Sequence, residues 1–413
     1  MVRLMLSETW PGAVMATAIA LASGCGAKAP NPTVSIRDSS GVQIVENTGP
    51  LGTESPWILD SIPSIDLGNP TAPGQEFDQF VGAFRLHDGR LVVGDGASQE
   101  LRYFGADGVF LKTAGRKGGG PGEFEHLGWL DLGEGDSLRA FDFSTGRLST
   151  FSPEGAWVRQ VILTPSGENE SPRPLGGIGA ELVVMAQKFV TPQSKPGVVR
   201  DSVPLQLYGA NGTATRLLGR FLGDEALIET GDQSVSVAGL PLGKQTHFAV
   251  GADQVIVGTA DRPEFMVVGL TGGVRRMVRW AEPLVPVTPG DVDGYLARFA
   301  REAWKPGQEA MRDRFLTMLK AAPWPKTKPA YAGIIVGPGG SVWVRAYTEP
   351  DRYAPTRFSV FDSTGRSVGR VVMPVGFSPT QIGQDFVVGA WKDPDDVVHV
   401  RVYRMKAGSA AKP

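Results

Sequence analysis

A short apolar strand recurs six times along the chain, and this repetition constrains the fold more than any other feature of the sequence. The copies begin at Leu91, Leu138, Leu182, Val255, Val342 and Phe386. Their spacing is about 45 residues, the length of a four-stranded repeat, apart from longer gaps before the fourth and fifth copies. Runs rich in Gly, Asp and Asn separate the strands. The pattern predicts an all-β fold, a six-bladed β-propeller with one blade for each copy.

A second recurring signal supports four strands in each unit. In four copies the third strand ends in an aromatic residue that precedes a glycine turn: Phe104, Phe151, Tyr208 and Phe361. Glycine tolerates the positive φ that tight hairpin turns require, so each signal predicts a turn into an outer fourth strand.

The sixth unit has no such outer strand before the polar residues that end the chain. An extended segment at the other end, residues 57–62, belongs to no unit. We expect this segment to supply the missing strand and close the ring, because closure removes exposed strand edges. The predicted propeller therefore spans residues 55–405, with a polar tail over 406–413.

Cys25 is the only cysteine, and it ends the string Leu-Ala-Ser-Gly-Cys after the apolar residues 12–22. A spanning helix needs about 20 apolar residues, so this shorter run predicts a signal peptide over residues 1–24. The string resembles a bacterial lipobox, which implies lipid attachment at Cys25 and a tether and N-terminal extension over residues 25–54. We expect an exported protein of the cell envelope, anchored in the periplasm or at the outer membrane. The alternative is an ordinary export signal beside an unmodified cysteine.

The first unit carries the sharpest motif. Residues 87–93 read His-Asp-Gly-Arg-Leu-Val-Val, and residues 114–124 read Ala-Gly-Arg-Lys-Gly-Gly-Gly-Pro-Gly-Glu-Phe. These strings resemble the bacterial six-bladed, NHL-repeat-like β-propeller lipoproteins, in which a Gly-Pro-Gly-Glu-Phe-like connection joins neighbouring blades. The resemblance implies the fold over residues 34–405. It implies little about function, because most members of that family have no assigned activity.

Two insertions interrupt the strand pattern. Residues 288–322 space their apolar side chains at helical intervals around a central break at residues 305–307, which predicts an amphipathic helical hairpin. Such a hairpin is either a lid or docking element over one face of the ring, or a decoration packed on its own propeller. Residues 187–202 are rich in Pro, Lys and Ser and predict a surface loop, the kind of segment in which recognition usually resides.

The candidate site residues converge, by position in the repeat, on one mouth of the central channel. His126 and His247 each come just before an innermost strand, in different blades. They are candidate metal ligands, but the sequence favours the alternative of two histidines that are simply solvated or part of the core. Arg116 and Lys117 lie in the crossover between the first two blades and would add positive charge. These four residues form the predicted ligand-binding set.

Two acidic residues give a further candidate for a cation. Asp95 and Asp142 end equivalent strands of the first two units. Calcium binding and the capping of a turn are both compatible with that position.

The charge balance and the catalytic motifs that the sequence lacks indicate which classes of function to expect. The 41 basic and 43 acidic residues nearly cancel, so we expect no nucleic-acid partner. The chain has no Gly-x-Ser-x-Gly, His-Glu-x-x-His or Cys-x-x-Cys string. We therefore predict a non-enzymatic binding or assembly platform without a cofactor, with an unidentified protein or small ligand as partner. The alternative is a metal-dependent lyase or hydrolase with calcium or zinc in the channel.

The anchoring hypothesis predicts the behaviour of a Cys25→Ala variant. Without the thiol no lipid can be attached, and we expect the protein to move from the membrane fraction to the soluble fraction of the cell envelope. Fractionation followed by immunoblotting measures the shift, and a variant that stays with the membrane would contradict lipid anchoring.

Overall fold

The computed structural model describes residues 34–49, 51, 57–188, 195–230, 235–301, 304, 307–348 and 355–408. Cys25 and the predicted signal peptide lie outside these residues. The strands and helices are given below in chain order.

Four strands precede the first sheet: β1 (Val34–Ser39), β2 (Val42–Asn47), β3 (Trp57–Leu59) and β4 (Ile65–Leu67). The first sheet contains β5 (Phe80–Arg85), β6 (Leu91–Asp95), β7 (Glu100–Phe104) and β8 (Phe110–Ala114). The second contains β9 (Leu127–Leu132), β10 (Leu138–Asp142), β11 (Arg147–Phe151) and β12 (Trp157–Ile162). The third contains β13 (Glu170–Ile178), β14 (Glu181–Lys188), β16 (Ser202–Tyr208) and β17 (Ala214–Leu222). A small separate sheet is made of β15 (Gly197–Val199), β18 (Ala226–Thr230) and β19 (Val235–Gly239).

The fourth sheet contains β20 (His247–Val250), β21 (Gln254–Gly258), β22 (Glu264–Gly269) and β23 (Val274–Trp280). Two helices follow, α1 (Pro289–Arg301) and α2 (Glu309–Ala321). The fifth sheet contains β24 (Tyr331–Val336), β25 (Val342–Ala346), β26 (Arg357–Phe361) and β27 (Ser367–Val372). The sixth contains β28 (Phe377–Ile382), β29 (Phe386–Lys392) and β30 (Val398–Ala407).

The six large sheets are arranged as a ring. Their first strands contact one another in the order β5, β9, β13, β20, β24 and β28, and β28 contacts β5 again. Within each sheet the strands are antiparallel neighbours in chain order. The predicted all-β propeller fold is confirmed, and the described part of the chain forms six such sheets.

The second strand of each sheet explains why the repeated pattern is a continuous apolar run instead of an alternating one. In β6, Leu91 and Val93 pack in the cluster shared with the sixth sheet, whereas Val92 packs in the cluster shared with the second sheet. In β25, Val344 faces the fourth sheet and Trp343 faces the sixth. Successive side chains of a strand point to opposite faces, so a sheet covered on both faces needs an apolar residue at every position.

The N-terminal segment closes the ring as the sequence predicts, through residues 57–59 of the expected segment 57–62 and through β4, which lies beyond that segment. β3 pairs antiparallel with β30, with Trp57 opposite Ala407, and β4 pairs with the same strand, with Leu67 opposite Val400. The ring of Trp57 also lies 5.1 Å from that of Trp343 in the neighbouring sheet. This pairing carries β30 to Ala407, two residues beyond the predicted end of the propeller.

A hairpin that the sequence did not predict widens the fourth sheet. β1 pairs with β2, and β2 lies parallel to the outer strand β23. The buried Asn47 at its end donates to the carbonyl oxygens of Arg279 and Gly365, each at 3.0 Å, and accepts from the backbone N–H of Ser367 at 2.8 Å. One side chain thereby joins the fourth sheet to the fifth.

The predicted helical hairpin is also confirmed, with α1 and α2 inside the expected range 288–322. Thr288 begins it: its hydroxyl accepts from the backbone N–H of Asp291, whose carboxylate in turn accepts from the Thr288 backbone N–H at 2.8 Å. Among the described residues no helix has the length and apolar character that crossing a bilayer requires.

Ring closure predicts unequal costs for two nearby truncations to alanine. Leu67 is 1% exposed and packs between the sixth and first sheets, whereas Ile62 is 77% exposed. Leu67→Ala should lower the free energy of unfolding by about 2–5 kcal/mol, and Ile62→Ala by less than about 0.5 kcal/mol. Chemical denaturation of both variants measures the difference, and equal stabilities would contradict the closure.

Candidate functional site

The topology places all the long insertions on one face of the ring. Because the strands of a sheet alternate in direction, the connection from a second to a third strand emerges on the same face as the connection from a fourth strand to the next sheet. The insertions between β14 and β16, between β17 and β20, and between β23 and β24 are all of these two kinds. We call this side the capped face.

The insertions pack together into one body, which we call the cap: the small sheet of β15, β18 and β19 together with α1 and α2. Met318 and Leu319 of α2 are buried against Leu227 of β18 and Leu240, which follows β19. Aromatic side chains of the hairpin, among them Phe299, pack at the edge of this cluster. The hairpin thus buries its apolar stripe against its own chain, and it does so over the capped face.

A cavity of about 640 Å³ lies between the cap and the channel walls. Four of the six sheets and all three strands of the small sheet contribute to its lining, most of which is apolar. Leu175 comes from the third sheet, Phe248 from the fourth, Ile334 from the fifth, and Ile228 and Val237 from the cap. The volume falls within the range of about 300–1,000 Å³ that is usual for small-molecule sites.

Arg345 is the charged group in the inner wall of this cavity. Its side chain is half-buried and donates from Nη2 to the carbonyl oxygen of Ala332 at 2.6 Å. No carboxylate among the described residues lies within ion-pair distance of it, and burial lowers the pKa of its guanidinium. Gly333 makes room for it, since a Cβ there would lie 3.2 Å from Nε of Arg345.

His247 lies beside Arg345 and is uncharged at neutral pH. Burial, and then the positive charge of Arg345, lower the pKa of the imidazole to about 4. Its ring centroid is 5.9 Å from that of Tyr331. The same histidine lines a second cavity of about 330 Å³, to which Tyr295 and Arg298 of α1 contribute. His247 therefore stands in the wall between the two cavities.

The remaining charged side chains of the larger cavity are exposed. Asp201 and Asp224 carry negative charge there, and Lys188 carries positive charge. A carboxylate oxygen of Asp224 accepts from the backbone N–H of Thr246 at 2.8 Å, which connects the cap to the start of β20.

The four residues predicted to line the channel mouth do not converge on this cavity. His247 lines it, whereas Arg116, Lys117 and His126 are exposed and lie outside its lining. Arg116 pairs with Glu123 within its own loop at 2.6 Å. The ring of His126 packs edge-on against that of Phe143 at 6.0 Å.

No group of three His, Cys, Asp or Glu side chains in the described residues is arranged to hold a metal ion. Both oxygens of Asp95 and of Asp142 accept hydrogen bonds from nearby groups. The donors are the backbone N–H groups of Gln79, Ala97, Glu125, Ser144 and Thr145, the Ser98 hydroxyl and the Arg102 guanidinium. These carboxylates hold the turn that follows each second strand.

The sequence analysis did not select Arg345, although one signal marks it. The fourth residue of the six repeated strands is Gly94, Phe141, Met185, Gly258, Arg345 and Gly389 in turn. Only the fifth copy places a charge at a position that is otherwise apolar or glycine. A charge at that point of a strand buried on both faces points to a polar function in the channel.

The fold and site define a β-propeller with a capped channel cavity. No protein-family model matches the chain, and no curated protein matches its sequence. A member of the DUF4221 family from Bacteroides vulgatus shares 10% identity over 86% of this chain and 100% of its own, with a TM-score of 0.49. A protein of Bacteroides fragilis described as a candidate exported protein shares 11% identity over 88% and 99%, with a TM-score of 0.45.

Virginiamycin B lyase from Staphylococcus aureus shares 10% identity over 85% of this chain and 99% of its own, with a TM-score of 0.40. These structural neighbours are β-propellers. Likenesses at this level carry nothing about the ligand or reaction of this chain.

The half-buried, neutral state of His247 predicts how stability depends on pH. Its pKa is about 4 in the folded protein and about 6.5 in the unfolded chain. The unfolded chain binds the proton first as the pH falls, so this residue lowers stability progressively between pH 6.5 and pH 4. A His247→Gln variant should lose less stability between pH 7 and pH 4.5 than the wild type. An NMR titration of the His247 ring with a midpoint near 6.5 would contradict the lowered pKa of this group.

Proposed function

We propose that this protein is an exported, lipid-anchored β-propeller that binds a small molecule, without transforming it, in the cavity between the ring and the cap. The observation that carries the proposal is the cavity of about 640 Å³, lined by four sheets and the small sheet of the cap. Export and anchoring rest on the string that ends at Cys25.

The composition of the cavity wall supports binding of a small ligand. Side chains such as Leu175, Phe248 and Ile334 give an apolar surface, and Arg345 and His247 add two polar groups close together. An apolar pocket with a small number of placed polar groups is the usual form of a small-molecule site. The inner strands that supply this wall belong to the packed ring, so the site is preorganised on the rigid part of the fold.

Binding of the neutral fluorescent dye Nile red tests this proposal. The wild-type protein should bind it saturably, because the cavity offers a concave and mostly apolar surface. Met185→Trp, which adds volume inside the cavity, should weaken binding by about tenfold or more, since the displaced dye loses most of its buried area. Leu217→Trp is the matched control, because Leu217 is exposed on the outer strand β17.

A second cavity variant tests the same site if Met185→Trp does not fold. Val237 lies on β19, is 49% exposed and also lines the cavity, so Val237→Trp should narrow it while the ring stays intact. Circular dichroism melting curves check that the variants fold. If the dye does not bind saturably, or binds equally to wild type and both cavity variants, the proposed site is wrong.

A further inference from the structure

Most shielded arginines in the described part of the chain have an acidic partner. Five arginine side chains that are 11–16% exposed pair with carboxylates: Arg102 with Asp95, Arg139 with Asp131, Arg147 with Asp142, Arg200 with Asp261 and Arg401 with Asp66. Pairing of this kind offsets the cost of removing the charge from water. Arg345 departs from this pattern, because its polar contact within the described residues is the carbonyl oxygen of Ala332. Arg173 and Arg276 also lack a carboxylate partner in the described part of the chain, but they lie outside the lining of this cavity.

The surroundings of Arg345 hold its guanidinium in place without neutralising it. The bond to Ala332 occupies one N–H group, and Gly333 lets the planar group lie close to the inner strand β24. A guanidinium carries five N–H donors in a fixed fork, so donors remain for a ligand. His247 adds no positive charge at neutral pH and can donate or accept one hydrogen bond.

We infer that the cavity binds an amphiphile with a single carboxylate, whose headgroup pairs with Arg345 and whose apolar body lies against Leu175, Phe248 and Ile334. This inference rests on the proposed function and names the chemical class of its ligand. The geometry points to a bidentate pair, because the guanidinium fork matches the two oxygens of a carboxylate.

The charges of the lining favour one negative charge on the ligand. Arg345 and Lys188 are positive, Asp201 and Asp224 are negative, and His247 is neutral, so the lining has no net charge. The two aspartates are exposed, whereas Arg345 is in the inner wall. A ligand with several negative charges would place the extra charges near these aspartates without compensation. A ligand with one carboxylate pairs with the arginine in the inner wall, while the exposed side chains of Lys188, Asp201 and Asp224 stay in contact with water.

Calorimetric titration with decanoate and with decan-1-ol tests the inference on the whole protein. The two probes share a ten-carbon chain and differ in the charge of the headgroup. Wild type should bind decanoate at least about tenfold more tightly than decanol, and Arg345→Met should weaken decanoate by about 10- to 100-fold. Decanol and Nile red should lose clearly less affinity in this variant than decanoate does, because neither probe carries a charge to pair with the guanidinium and methionine keeps an apolar stem in the wall.

Two further variants sharpen the result. Arg345→Lys keeps the charge and loses the planar fork, so its loss of decanoate affinity should be smaller than that of Arg345→Met. Arg276→Met is the matched control: Arg276 is half-buried, bonds to Gln43 and the carbonyl oxygen of Ser363, and lies outside the cavity. It should bind decanoate as the wild type does.

The outcomes separate this inference from the proposed function. Equal affinities for decanoate and decanol, or equal behaviour of Arg345→Met and Arg276→Met, would overturn the carboxylate assignment. Decyl phosphate binding more than tenfold more tightly than decanoate would also overturn it. If Nile red still binds saturably in those cases, the small-molecule site stands and only its ligand class fails. If wild type binds neither Nile red nor decanoate, the proposed function fails and the inference fails with it.

Discussion

The burial of each second strand on both faces is the constraint on which the rest of the structure depends. Leu91, Val92 and Val93 belong in alternation to two different apolar clusters, one on each side of their sheet. The same division holds in every sheet, so six clusters fill the six spaces between neighbours. Each fully buried aliphatic side chain contributes about 1.5–3 kcal/mol relative to an exposed one. A sheet gains this on both faces only when the ring is complete, which is why the strands at the two ends of the chain must meet.

The closed ring also determines where a binding site can form. Insertions between strands two and three, and between neighbouring sheets, emerge on one face whatever their sequence. Three of them meet there and bury Met318, Leu319 and Leu227 in a core separate from the ring. The cavity below this cap has a wall of strands held by the ring, and a roof of segments that can diverge without loss of the fold. Arg345 lies in the wall, so its position is set by the most rigid part of the molecule.

The sequence predicted those parts of the fold that depend on local patterns. The repeated apolar runs, the glycine turns and the helical spacing of residues 288–322 are local, and the sheets and the hairpin α1–α2 lie where these patterns indicate. Two pairings escaped prediction because they join strands that are distant in sequence. The strand β2 lies parallel to β23, more than two hundred residues away, and three-residue β15 pairs with β18 of another insertion. Neither leaves a hairpin signal between its partners.

The candidate site was predictable only in part for a related reason. Position in the repeat placed His247 at the start of an inner strand, and it lines the cavity. The same reasoning selected Arg116. In the structure the backbone N–H of Gly120 and the guanidinium of Arg116 both donate to the carboxylate of Glu123, and these bonds lower the pKa of that carboxyl. The arginine is thereby held in its own loop. Repeat position says which face a residue occupies. Whether its charge is already paired depends on contacts that only the folded chain shows.

A crystal structure of the protein with 10-bromodecanoate bound tests the central claim most directly, since the bromine gives an anomalous signal. The account predicts bromine density inside the cavity, against the apolar wall formed by Phe248 and Ile334, and a carboxylate in contact with the guanidinium of Arg345. Bromine density confined to the outer surface of the ring, with Arg345 still bonded only to Ala332, would contradict it.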